Sequence, residues 1–135
     1  MALIEIRNVY KIFGTGRAEE TALDLARAGV EKNDLLVETG CTLGLKDVSL
    51  SVERGETFVV MGLSGSGNST LIRHINRLID PTAGQILVDE RDVLELSPEE
   101  LLAFRRGAVS MVFQRFALFP HLTVMENVGY GLEVQ

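Results

Sequence analysis

A single cysteine, Cys41, occurs among 135 residues. That excludes an internal disulfide, a redox pair and a thiolate zinc cage, each of which needs a second thiol, and a reducing compartment is the simplest reading. Long apolar runs are missing too. No stretch reaches the ~18 apolar residues needed to span a bilayer, and the opening MALIEIRNVYKIFG carries Glu5, Arg7 and Lys11 where a targeting segment has its apolar core. Nor is there a block of Lys and Arg. With 13 basic against 19 acidic residues and a formal net charge of -6, the chain lacks the clustered cations that neutralise nucleic-acid phosphates, so no nucleic acid is expected as a partner. Internal repeats and low-complexity segments are absent as well. What is present, 46% hydrophobic and 24% charged residues, is the composition of an ordinary globular domain able to bury a core.

The periodicity of the chain places its elements. LIEIRNVYKIF, residues 3–13, alternates as a half-buried strand with a bend. Residues 17–39 carry three basic side chains (Arg17, Arg27, Lys32) against six acidic ones, around Leu23, Leu25, Val30, Leu35 and Leu36. This predicts two short surface helices broken near Gly29, with a local charge that would repel phosphate backbones. LKDVSLSVERGETFVVMG, residues 45–62, reads as an alternating strand, a turn at Arg54-Gly55-Glu56, and an apolar run Thr57–Met61 expected to be a buried parallel strand. Leu71, Ile72, Ile75, Leu78 and Ile79 then recur at helical spacing until Asp80-Pro81. QILVDERDV is a further short strand. Ser97 and Pro98 mark a helix start as N-cap and first-turn proline, and AVSMVFQ, residues 108–114, is one more apolar strand ending on Gln114.

MGLSGSGNST, residues 61–70, has the rhythm G-x-x-x-x-G-K-[ST] at Gly62, Gly67 and Ser69, with Asn68 in place of the lysine. An apolar run, a glycine-rich turn and then a helix gather backbone N–H groups and the positive end of the helix dipole at one spot, which suits a phosphate. Gly65 and Gly67 let the backbone curl close around an anion, and Ser69 stands at the offset for a Mg²⁺ ligand. Asn68 has no charge to offer a β- or γ-phosphate. ILVDE, residues 86–90, imitates an acidic metal-binding strand end. Its short connection from the preceding helix and its continuation into Arg91-Asp92 favour a hairpin instead.

VYKIFG, the acidic segment before GLKDVSLSV, FVVMGLSGSGxST, LIRHINRLIDPTAGQILVD and MVFQRFALFPHLTVMENV resemble, in order and spacing, the ATP-binding subunit of an ABC importer of the glycine betaine/proline (quaternary amine) type. The resemblance covers nearly the whole chain and implies an α/β fold, a P-loop NTPase core with an antiparallel β subdomain (the ABC ATPase fold). It implies that residues 1–135 are the N-terminal part of that domain, with a helical insert at about 17–40. By the same resemblance ATP and Mg²⁺ are the cofactors. Phe13 takes the place of the aromatic that stacks on adenine, with Tyr10 a neighbouring candidate. Ser64, Gly65, Ser66, Gly67, Asn68, Ser69 and Thr70 wrap the phosphates, Ser69 and Gln114 reach Mg²⁺, and Gln114 also addresses the attacking water.

Further expectations concern partners. Arg115 to His121, including Phe116, Leu118 and Phe119, would form part of the groove that receives the ABC permease transmembrane subunit, with His121 a surface residue of that groove and not a metal ligand. A second ATP-binding subunit would complete the dimer, peripheral on the cytoplasmic face of the cell (inner) membrane. Two departures from the family pattern stand out. Asn68 replaces the loop lysine, and the chain ends before the family's LSGGQ signature, Walker B strand and switch histidine. Hydrolysis by this chain is therefore expected to be lost. The alternative is an interaction module that docks on the permease and binds little nucleotide.

Overall fold

The alternation in LIEIRNVYKIF becomes the inner strand around which a sheet assembles. In the computed structural model, which describes residues 2–114 and 117–134, β1 (Ala2–Phe13) pairs antiparallel with β2 (Thr42–Glu53) on one side and with β3 (Ala83–Val88) on the other. β4 (Arg91–Asp92) completes the order β2-β1-β3-β4. The bend in β1 has a local cause. Asn8 (φ 46) and Asp47 (φ 50) both adopt the left-handed region, which short polar side chains tolerate, and Asn8 Nδ2 donates to Asp47 Oδ1 at 2.9 Å. The β1–β2 register shifts between Ile6 and Val9, so both strands turn together.

Two cores flank the sheet. Ile6, Val9, Leu45, Leu71, Ile86, Val88 and Val93 form the first, joined by Ile75 and Phe104. The second lies under the two helices broken at Gly29, α1 (Gly16–Arg27) and α2 (Lys32–Thr39), where Ala22, Ala26 and Leu35 cover Ile12, Cys41 and Leu43. These helices are more than surface decoration: Ala22 and Ala26, four residues apart, share one buried face. Cys41 is buried among them. α3 (Asn68–Ile75) packs Leu71 into the first core, and α4 (Pro98–Gly107) begins with the expected Ser97 cap, completed as a capping box by Glu100. A fifth helix, α5 (Val124–Glu133), was not legible from periodicity alone. It carries a second capping box, Thr123 with Glu126. Among the described residues no helix is long and apolar enough to cross a membrane.

Three expectations need correction. Thr57–Met61 and Ala108–Gln114 are not strands. A strand exists only as a member of a ladder, and neither run pairs with another strand among the described residues; Val60 still packs on the first core, but much of the remaining apolar surface faces outward, with Met61 86% and Val112 96% exposed. The helix after the glycine loop ends at Ile75, before Leu78 and Ile79, because Arg77 takes a left-handed conformation (φ 51) that breaks the helical path. The parallel core sheet of the expected fold is thus not formed among the described residues, whereas its antiparallel subdomain is.

His74, on α3, is fully buried. Its Nδ1 lies 2.6 Å from the Thr70 carbonyl. A carbonyl only accepts, so the proton sits on Nδ1, and Nε2 is left as a buried acceptor without a donor. Burial pushes the imidazole below its ordinary value, and the distant Lys11 ammonium adds to this, against the Thr70 bond and Asp80, which favour the charged form. With the folded value lowered, the unfolded chain binds the proton more readily. Stability contributed by neutral His74 is present above the ordinary histidine range and falls as pH drops through it. Thermal melts of the parent chain and of His74→Leu between about pH 8 and about pH 5 are expected to show the steeper acid loss in the parent. Parallel curves would assign the slope to other groups.

Candidate functional site

The glycine-rich segment folds as a turn seated on β2. Ser66 N–H donates to the Leu63 carbonyl at 3.0 Å, and Gly65 (φ 82) and Gly67 (φ 94) occupy the left-handed region that only glycine enters freely. Gly67 also needs to be small. A Cβ there would lie 2.7 Å from the Gly44 carbonyl oxygen and 3.0 Å from Leu45 Cδ2. Gly44 in turn admits Phe13, whose Cε2 would stand 2.6 Å from a Cβ at that position. One glycine of β2 therefore brings together the aromatic at the end of β1 and the loop.

α3 then starts without a side-chain cap, since its N-cap is Gly67 itself. The first intrahelical bond is Leu71 N–H to the Gly67 carbonyl, 2.8 Å, which leaves the N–H groups of Asn68, Ser69 and Thr70 with no helical acceptor. In α4 and α5 a capping box satisfies the third of these groups, the N–H of Glu100 and of Glu126, whereas α1 and α2 also start without a side-chain cap. The uncapped turn of α3 is an anion-binding arrangement. Asn68 does not add to it: its Nδ2 turns back toward the Gly62 carbonyl at 3.4 Å, and its Oδ1 accepts from Ser66 Oγ at 3.1 Å. The amide ties the loop to itself.

An open cleft of about 590 Å³ runs along this loop, and Phe13, Ser64, Gly65, Ser66, Gly67, Asn68, Ser69, Thr70 and Gln114 all line it. Tyr10 does not. It belongs to the second core, with the Arg27 guanidinium 5.8 Å from its ring centroid. Phe13 keeps 43% of its surface exposed, with Lys11 Nζ 5.3 Å from the ring centroid. Sequence reasoning missed Gly44 and Lys32 as lining residues. A glycine inside an alternating strand is the available signal for the first, because it marks a close backbone approach. Among the described residues no carboxylate lines the cleft, and no group of three or more His, Cys, Asp or Glu side chains suited to a metal occurs.

Asp89 and Glu90 are the two central residues of the β3–β4 hairpin, as the register Val88↔Arg91 requires, and both have positive φ (50 and 65). Asp89 faces Arg54 at 2.8 Å, and neither residue lines the loop's cleft. Glu90→Gly is expected to stabilise the chain by about 1 kcal/mol, because glycine removes the left-handed penalty, and Asp89→Ala to leave Mg-ATP affinity within about twofold, with no phosphate contact to lose. A large loss confined to the Mg²⁺ complex would make the hairpin a metal site.

Of the segment 115–121, Arg115 and Phe116 lie outside the described residues. Leu118, Phe119, Pro120, Leu122, Val124 and Val128 line an apolar groove of about 320 Å³. Asn127 holds its turn: Nδ2 reaches the carbonyls of Phe119, Leu122 and Thr123, and Oδ1 accepts from Phe119 N–H at 2.8 Å. His121 is exposed and stands edge-on to Phe119, with ring centroids 5.9 Å apart.

Comparison with known proteins agrees with this geometry. Residues 45–135 match the family described as ABC transporter. The chain is 50% identical over 131 residues to the glycine betaine/proline betaine transport system ATP-binding protein ProV of Escherichia coli (strain K12), covering 97% of this chain and 32% of that protein. It is also 50% identical over 135 residues to the glycine betaine/carnitine transport ATP-binding protein GbuA of Listeria monocytogenes serotype 1/2a (strain 10403S), covering 100% of this chain and 34% of that one. It thus spans about a third of the length of these curated relatives. Among solved structures, the dimeric post-hydrolysis state of the ATP-binding cassette MJ0796, bound to ADP and Pi, superposes with a TM-score of 0.73 at 32% identity, over 97% of this chain and 47% of that one. The ordered loop, the antiparallel sheet beside it and these matches together place the chain in the ABC transporter family.

Proposed function

We propose that the cleft binds Mg-ATP as part of the ATP-binding subunit of an importer for glycine betaine/proline-type osmoprotectants, and that this chain does not hydrolyse it efficiently. The observation that carries the reading is the uncapped first turn of α3, seated by Gly67 on Gly44, in one cleft with Phe13 and Gln114. The half-exposed Phe13 ring stacks on the adenine. Backbone N–H groups from Ser64 to Thr70 hold the phosphates, with the α3 dipole behind them. The Ser69 hydroxyl and the Gln114 amide oxygen are neutral ligands for Mg²⁺, which retains waters and phosphate oxygens for the remaining positions.

Hydrolysis requires charge compensation at the departing phosphoryl group and an orienting group for water. Gln114 serves the second need. Asn68 adds no charge toward the first, and among the described residues the cleft offers no carboxylate as a base. The named relatives are ATP-binding proteins of betaine transport systems, which supports the substrate class, and the dimeric state of the cassette MJ0796 supports a second ATP-binding subunit as partner. The permease would meet the apolar groove beside Phe119 at the cytoplasmic face of the cell membrane.

That groove also supports a second reading, a docking module in which nucleotide plays little part, because it is built independently of the loop by Asn127 and α5. Calorimetric titration of the chain with Mg-ATP separates the two. Saturable heat with one site per chain is expected, without protein-dependent phosphate release. No heat at millimolar nucleotide would remove the first reading and leave the second.

A further inference from the structure

α2 contributes a charge to the cleft that the loop lacks. Lys32, its first residue, lines the cleft beside Phe13, Gly44 and Gln114 and is the sole ionisable side chain among the described residues that do so. No ion pair holds it among the described residues. The adjacent Glu31 carboxylate turns to Lys46, 3.8 Å away, and the positions three and four residues along α2, where a helical ion-pair partner would stand, are Leu35 and Leu36. Leu35 is buried in the second core, which fixes the orientation of the helix. A cation in the first turn also opposes the helix dipole. Among the described residues no ion pair or hydrogen bond holds its ammonium, and the alignment with the dipole disfavours a lysine here.

The geometry points to Lys32 as the cation that meets the polyphosphate of the bound nucleotide, in place of the ammonium that Asn68 does not supply. The assignment rests on the cleft being the Mg-ATP site. An ammonium on a four-carbon stem reaches across an open cleft, whereas the Asn68 amide is held within the loop by Gly62 and Ser66. The contact is charge-assisted but solvent-accessible, so its effect is moderate and sensitive to salt.

The test titrates the parent chain, Lys32→Gln and Lys32→Arg with Mg-ATP, ADP, AMP and adenosine at low and high salt, and records thermal melts of each. Lys32→Gln is expected to weaken ATP about three- to tenfold, ADP less and adenosine not at all, with a shallower salt dependence. Lys32→Arg retains affinity, and neither variant melts below the parent. Equal ATP affinities of parent and Lys32→Gln would overturn the role of Lys32 while leaving the site intact. Equal losses for ATP and adenosine would move the contact to the base and overturn the phosphate assignment. A parent chain that binds none of the four ligands would overturn both this assignment and the nucleotide reading beneath it.

Discussion

Asn68→Lys is expected to tighten Mg-ATP binding by roughly ten- to hundredfold. A charge-assisted hydrogen bond contributes about 1.5–3 kcal/mol, and every 1.4 kcal/mol is about tenfold in affinity. The receiving geometry is already in place. Gly65 and Gly67 hold the loop open with φ of 82 and 94, and α3 presents its uncapped turn, so a lysine needs no new backbone conformation. The substitution does cost the two contacts by which Asn68 ties Ser66 and the Gly62 carbonyl together. Both are neutral and solvent-exposed, and their loss is small beside the gain of an ammonium facing phosphate. On the proposed reading, hydrolysis is expected to stay at background, since none of the described residues lining the cleft is a carboxylate. Titration of both variants at one salt concentration checks the affinity, and phosphate release checks the turnover. Equal affinities would mean that residue 68 does not face phosphate.

Lys32 modifies this expectation in a measurable way. If two ammonium groups approach the same phosphates, their contributions are not independent, and the gain from Asn68→Lys should be larger in the Lys32→Gln background than in the parent. A double-mutant cycle reads that coupling directly.

How much of this was legible in the sequence depends on whether each feature is set locally. The hairpin at Asp89-Glu90, the cap at Ser97 and the break at Gly29 rest on residues within a few positions of one another, and each was readable. α5 should have been readable too, since Thr123-Val124-Met125-Glu126 has the capping-box spacing. The runs Thr57–Met61 and Ala108–Gln114 show the limit of periodicity. Their composition reports that the side chains favour burial. It does not report whether a neighbouring strand is there to bury them, and in this structure Phe58, Val59 and Val112 remain exposed. The loop was legible because its glycines carry their own backbone requirement. Gly44 carried only the general signal of a glycine inside a strand, and Lys32 carried none, because it enters the cleft through the tertiary packing of α2 from elsewhere in the chain.

The largest effect on stability is expected from Gly84→Ala, and its contrast with Gly67→Ala separates the fold from the site. Gly84 has φ +102, and a Cβ there would stand 2.6 Å from the Asn8 carbonyl oxygen and 2.7 Å from both the Arg7 carbonyl oxygen and Val9 Cα. All three are backbone atoms of β1 at its bend, where Asn8 is itself held at φ 46. None is a flexible side-chain end that could swing away, so relief requires β1 and β3 to separate where the first core is anchored by Val9 and Ile86. Backbone strain of about 1–3 kcal/mol and overpacking of about 1–3 kcal/mol together approach the whole stability of a small domain. Gly84→Ala should therefore melt far below the parent or fail to fold. Gly67→Ala meets the Gly44 carbonyl at a similar distance, 2.7 Å, but its loop belongs to neither core and can lift off β2. That variant should melt close to the parent and lose Mg-ATP affinity by at least about tenfold, since the lifted loop no longer holds its N–H groups toward the phosphates. Thermal melts and titrations of the two variants decide the matter. A folded, parent-like Gly84→Ala would show that the β1–β3 ladder does not carry the fold, and undiminished nucleotide binding by Gly67→Ala would show that the seat on Gly44 is not what shapes the loop.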